Sequence, residues 1–260
     1  MTMTGTAAVS SEAVGHVAVV TMDSPERRNP LSLAVMLALT QTFRRLARSD
    51  ARAIVLAATG PVFSAGHDLR EVVDRSLEDE RAIFGACTQL METIQTIPQP
   101  VVAAVQGPAL AAGCQLVATC DLAVAATTAS FGTPGVKIGL FCSTPMVAVS
   151  RAIGRKRALQ MLMTGGVVDA ATAADWGLIN EVVEPDDVGQ RALEVAQLVA
   201  HASPLTLKVG KQAFYQQIDL PQAQAYEAMS EVMAANATTR DAQEGITAFL
   251  EKRSPTWVGR

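Results

Sequence analysis

Two short stretches carry the residues that could do chemistry, and both are built from small side chains. The first is Ala109 to Gly113, which follows the apolar run Val101 to Val105 and the breaker Gln106-Gly107-Pro108, and opens a helix read as Cys114 to Cys120. The second is Phe63-Ser64-Ala65-Gly66, which follows the apolar run Ile54 to Ala57. A strand, a small-residue turn and a helix start leave backbone N–H groups without intrahelical partners, and the helix dipole favours negative charge there. Residues with almost no side chain let a ligand come close. Two such turns can supply one N–H each to one oxygen. That arrangement stabilises negative charge that builds up in a transition state.

Around these turns sit a few groups able to titrate or attack. His67 follows the second turn and is the side chain best suited to change charge near pH 7. Glu71 and Asp74 lie at helical spacing from it and could line a pocket mouth. Cys142 precedes Ser143 and Thr144 at the start of an expected helix, where a thiol pKa can be lowered. Ser64, His67 and Asp68 have the residue types of a catalytic triad, but they share one loop and lie too close together for triad geometry. No glycine-rich nucleotide fingerprint is present, so neither NAD nor ATP is implied.

The elements that must hold these turns read as strands alternating with helices. Strands are expected at Val14 to Met22, Arg52 to Ala58, Val101 to Val105, Leu122 to Ala126 and Glu181 to Val183. Ser32 is placed to cap a helix striped by Val35, Leu39, Phe43 and Leu46. Ser76 and Asp79 have the spacing of a capping box, ahead of Ile83, Cys87, Leu90, Ile94 and Ile97, with Pro98 and Pro100 closing the helix. Phe131 to Gly135 reads as a loop. Helices then follow at Ser143 to Ala152, Lys156 to Leu162 and Ala170 to Trp176, and the rest of the chain is helical, its last helix capped by Thr238. The alternation implies an α/β fold with mostly parallel strands and helices outside. It divides into a core, residues 1–200, and a helical C-terminal part, residues 201–260.

The composition narrows the class. The 260 residues are 49% apolar and 18% charged, with a formal net charge of -4, enough apolar material for a core and little surface charge. No basic stripe argues for nucleic acid, and no apolar run reaches membrane-spanning length. The four cysteines and three histidines lack metal-ligand spacing, so no metal is expected and the thiols are read as reduced. The opening residues have neither a basic nor an apolar signal region, and a cytoplasmic protein is the expectation.

Phe63 to Leu69, the PVVAAVQG and AAGCQL block with Cys120-Asp121, Phe131 to Pro134, Leu162 to Gly165, Gly177 to Asn180 and Glu244 to Arg253 occur in an order that resembles the crotonase, or enoyl-CoA hydratase/isomerase, superfamily. The run Gly139 to Pro145 resembles its enoyl-CoA hydratase domain-containing protein 3 subgroup. The resemblance implies a crotonase-like spiral of ββα units with a helical trimerisation part. It implies a homotrimer or a hexamer made as a dimer of trimers. The implied ligand is an acyl-CoA thioester, with coenzyme A arriving as part of the substrate and no separate cofactor. By the same resemblance the two oxyanion N–H groups fall on Ala65 and Ala112, and coenzyme A is met by Arg27, Arg28, Ala65, Asp68, Leu69, Phe249 and Lys252. The family's two catalytic glutamates fall on Gln115 and Gly135, so both carboxylates are missing. Ordinary 2-enoyl-CoA hydration is therefore expected to be weak or absent, with His67 and Cys142 as substitutes, or the protein to bind an acyl-CoA without turnover, or to run a decarboxylation or hydrolysis instead.

Overall fold

The computed structural model describes residues 8–260. The elements run β1 (Val9–Val14), β2 (Val17–Met22), α1 (Leu33–Leu46), β3 (Ala53–Ala58), α2 (Leu77–Thr96), β4 (Val101–Val105), β5 (Ala109–Leu110), α3 (Ala112–Thr119), β6 (Leu122–Ala126), β7 (Ser130–Gly132), α4 (Ser143–Ala152), α5 (Arg155–Thr164), β8 (Val167–Asp169), α6 (Ala170–Trp176), β9 (Glu181–Val183), α7 (Val188–Ala200), α8 (Pro204–Gln217), α9 (Gln222–Ala237) and α10 (Arg240–Glu251). One sheet of six strands has the order β1-β2-β3-β4-β6-β9, and a second of three has the order β5-β7-β8.

The large sheet is parallel from β2 to β9, with β1 paired antiparallel to β2 at its edge. Every residue of β4 is buried, which is why its sequence is a continuous apolar run rather than an alternation. The stretch expected as one strand from Val14 to Met22 is part of a hairpin. Gly15, at φ 61°, turns the chain between β1 and β2. The second sheet was not expected, because Ala109-Leu110 and Phe131-Gly132 read as turn and loop. Both are paired as short strands, Ala109 with Phe131 and Leu110 with Gly132.

The helix starts follow their caps. The Ser32 side chain accepts from the Val35 N–H, and Ser76 with Asp79 closes a reciprocal capping box on α2. The last helix is capped by Thr239 rather than Thr238, which ends α9.

A buried ion pair ties the C-terminal helices to the core. Lys211 Nζ on α8 donates to the carbonyls of Ile94 (2.7 Å) and Gln99 (2.8 Å) and to Asp121 Oδ2 (2.7 Å). Asp121 also accepts from the Val101 N–H (2.7 Å) and from the Tyr215 hydroxyl (2.9 Å). The ammonium thus has three acceptors and the carboxylate three donors, which is the condition for a buried pair to be tolerated. Lys211→Met removes all three donations and strands the Asp121 charge, so urea unfolding should show a loss of about 3–5 kcal/mol. The double variant Lys211→Met/Asp121→Asn should lose less.

Candidate active site

The two small-residue turns meet. Asn29, buried at φ 48°, ties the loop after β2 to the one after β3, donating to the carbonyls of Thr59 (2.8 Å) and Val62 (2.7 Å). The Leu110 N–H then donates to the Ser64 carbonyl (2.9 Å), bringing the 63–66 turn onto β5. That carbonyl packs against Gly113, where a Cβ would lie 2.4 Å from it. Gly66, at φ 94°, sits over the head of α3. A Cβ there would lie 2.9 Å from the Ala111 Cβ and 3.2 Å from the Ala112 nitrogen. The turn at residue 66 and the start of α3 are therefore in direct contact.

Ala111, the residue before α3, has φ 50° and ψ −117°, a backbone state that costs an L-residue energy. Its N–H donates to the Gly132 carbonyl (2.8 Å), and its carbonyl accepts from the Gln115 N–H (3.0 Å). With both ends fixed, the Ala112 N–H, at the first helical position, donates to nothing among the described residues.

The other expected donor needs correction. The Ala65 N–H donates to the Arg28 carbonyl (3.0 Å), so it is already spent within the chain. The Gly66 N–H faces the Ser64 hydroxyl (3.2 Å). The next one, the His67 N–H, has no acceptor among the described residues. The free pair beside Gly66 is therefore His67 and Ala112, not Ala65 and Ala112.

The His67 ring packs edge-on against Phe84 of α2, with centroids 5.3 Å apart and planes at 89°. Its Nδ1 lies 3.3 Å from the Leu31 carbonyl, and its Nε2 is buried without a partner. Burial holds its pKa below the ordinary imidazole value, against the pull of the Leu31 carbonyl and Glu71. The ring is neutral at pH 7, with its proton on Nδ1 toward Leu31.

Gln115 on α3 is 4% exposed, and its Oε1 accepts from Cys87 Sγ on α2 (3.7 Å). Gly135 has no room for a side chain: a Cβ would lie 2.2 Å from the Leu140 carbonyl oxygen and 2.8 Å from Cys142 Sγ. Cys142 precedes α4, but burial raises its pKa, outweighing a backbone contact with Gly135 that lowers it. Expecting Cys142 to be an activated nucleophile is therefore corrected.

Arg27 pairs with Asp68 beside the turn, and Leu69 is exposed next to it. Arg28 offers its carbonyl to Ala65. Glu71, expected at a pocket mouth, accepts the Leu33 N–H (2.7 Å) at the head of α1. Phe249 lies on α10, which packs on α8 and α9, and Lys252 just after it, and Phe249 is 82% exposed. Among the described residues no helix is long and apolar enough to cross a membrane, and no three His, Cys, Asp or Glu side chains cluster as a metal site.

A family model described as enoyl-CoA hydratase/isomerase matches residues 12–260. The chain belongs to this family. Rat enoyl-CoA hydratase domain-containing protein 3, a mitochondrial protein by name, is 45% identical over 92% of this chain and 80% of its own length. The crystal structure of the human protein of that name superposes with a TM-score of 0.94 at 42% identity, covering 96% of this chain and all of the other. An enoyl-CoA hydratase from Mycobacterium smegmatis gives 0.93 at 43% identity, covering 96% and 98%. The fold is the crotonase fold, with its helical C-terminal region.

The relatives also correct the expected compartment. The rat, human and mouse proteins are named mitochondrial, which overturns the cytoplasmic expectation. Reduced thiols fit either compartment and could not separate them.

The neutral, half-buried His67 has a measurable consequence. Its folded pKa lies below the unfolded value of about 6.5, so the unfolded chain binds more protons in the interval between them. The contribution is present above pH 6.5 and is lost as pH falls through the folded value. The urea midpoint of the wild type should drop between pH 7.5 and 5 by more than that of His67→Gln.

Proposed function

We propose that the chain binds an acyl-CoA thioester at the junction of the 66–67 turn and α3, and stabilises the thioester enolate there. The observation that carries this reading is the pair of uncommitted N–H groups, His67 after the Gly66 turn and Ala112 after the strained Ala111, on two segments in contact at Gly66. An enolate oxygen is a poor species in water, and two preorganised donors lower its energy. Losing one such donor typically costs about 10²–10³ in rate. Names of the relatives speak of enoyl-CoA hydratases.

Coenzyme A enters as part of the substrate, and no further cofactor is invoked. Its phosphates suit the Arg27 and Arg28 loop. Phe249 and Lys252 suit the adenine end in a neighbouring copy, since Phe249 is exposed on the outer helix α10. That reading takes the protein as a homotrimer or a hexamer. Phe214, Tyr226, Met233, Ile246, Phe249 and Leu250, all exposed on α8 to α10, supply apolar surface for such contacts. A mitochondrial setting fits the named relatives.

Ordinary 2-enoyl-CoA hydration is weak or absent in this reading. Gln115 can orient a water but cannot take its proton, and Gly135 offers no side chain. Each acid–base group is worth about 10²–10⁴. The same two residues support a second reading, in which the acyl-CoA is bound and never turned over.

Calorimetric titration with crotonyl-CoA, alongside loss of its conjugated absorbance, tests both parts. Micromolar binding with turnover far below the ordinary range of about 1–10³ s⁻¹ is expected. Gln115→Glu alone should raise hydration by about 10² or more. Adding Gly135→Glu should abolish that gain, because its Cβ would collide with the Leu140 carbonyl. No binding at millimolar thioester would sink the reading.

A further inference from the structure

With Gln115 and Gly135 unable to move protons, the carboxylates that remain near the turns become decisive. Most are committed. Glu71 holds the head of α1, Asp68 pairs with Arg27 and accepts the Arg70 N–H (3.3 Å), and Asp79 closes the capping box with Ser76. Among the described residues only one carboxylate oxygen is both buried and without a partner, Glu80 Oε2. A polar oxygen held from water without a donor costs free energy, so such an atom calls for a function or a ligand.

Its position in α2 gives it one. Glu80, Phe84 and Cys87 are spaced four and three apart and share one side of the helix, Cys87 buried and Glu80 and Phe84 half-buried beside the apolar stripe. Phe84 packs on His67, and Cys87 Sγ donates to Gln115. Successive turns of one helix face thus carry a carboxylate, the wall behind the 67 turn and the wall behind α3. Neighbouring turns set Cβ atoms about 5–6 Å apart. The capping box fixes the first turn of α2, so Glu80 is held on that face rather than fraying into solvent.

We propose that Glu80 is the proton acceptor of this site, acting on the carbon next to the thioester carbonyl of a bound acyl-CoA. The proposal rests on the acyl-CoA reading above. The C2–H bond breaks and its electron pair becomes the second bond between C1 and C2. The carbonyl pair moves onto oxygen as an enolate, facing the His67 and Ala112 N–H groups, and the proton goes to Glu80 Oε2. Its return to C2 restores the thioester, so no other reactant is consumed. In D₂O the carboxylic acid exchanges its proton with solvent, and C2 becomes labelled.

The test incubates the full-length protein with butyryl-CoA in D₂O, reads C2 deuteration by proton NMR, and titrates the same thioester by calorimetry. Wild type should bind and exchange. Glu80→Gln, which keeps shape and hydrogen-bonding capacity, should bind like wild type and exchange about 10²–10⁴ more slowly, with Glu80→Asp in between. Equal exchange by Glu80→Gln, or a wild type that binds without exchanging, overturns the assignment of Glu80. A wild type that fails to bind butyryl-CoA instead overturns the acyl-CoA reading itself.

Discussion

The site depends on one enforced backbone conformation, that of Ala111. An alanine at φ 50° and ψ −117° carries strain of order 1–3 kcal/mol and persists only where its neighbours over-determine it. Here they do. The Gly132 carbonyl fixes the peptide ahead of it and the Gln115 N–H fixes the carbonyl behind it. The short strand β5 is pinned on one side by β7 and on the other by the Ser64 bridge. The strain turns the next N–H out of the backbone network at the point where a helix begins, so the dipole of α3 reinforces it. The three-stranded sheet, small as it is, is thereby the clamp that gives α3 its chemistry.

The same economy appears at the opposing turn. Four consecutive residues have their N–H groups directed differently: Ser64 toward the Pro108 carbonyl, Ala65 toward Arg28, Gly66 toward the Ser64 hydroxyl, and His67 toward none of the described residues. The donor left over is selected by what lies behind the turn rather than by its own sequence. Arg28 is a loop residue at φ 63°, and its carbonyl reaches Ala65 because Asn29 holds the two loops together. Asn29 therefore influences which N–H faces the site, from a residue with no chemistry of its own.

This is also the boundary of what the sequence reveals. The parallel core, the capped starts of α1 and α2 and the turn before α3 are legible because apolar runs, caps and breakers are local signals. The second sheet is not, since strands of two or three residues have no periodicity to read. The assignment of Ala65 rather than His67 failed for a related reason: hydrogen-bond bookkeeping at a turn depends on residues thirty or more positions away. The crowding at Gly135 was not legible, because the Leu140 carbonyl and the Cys142 thiol reach it through the turn of the following loop. Glu80 was hidden because its neighbours Ser76 and Asp79 announce a capping box, which makes the whole first turn read as helix punctuation.

The surroundings of Gly135 leave no room for a side chain. The Leu140 carbonyl and the Cys142 thiol close onto the Gly135 backbone, and the Leu140 N–H donates to the Gly135 carbonyl (3.0 Å). Across the site, the Gln115 Oε1 faces a buried thiol whose pKa is pushed up to about 12, so Cys87 stays protonated and donates. Both positions carry neutral groups, while the strained Ala111 backbone leaves the Ala112 N–H uncommitted. Retaining costly backbone strain has a physical rationale only if something binds there that rewards it.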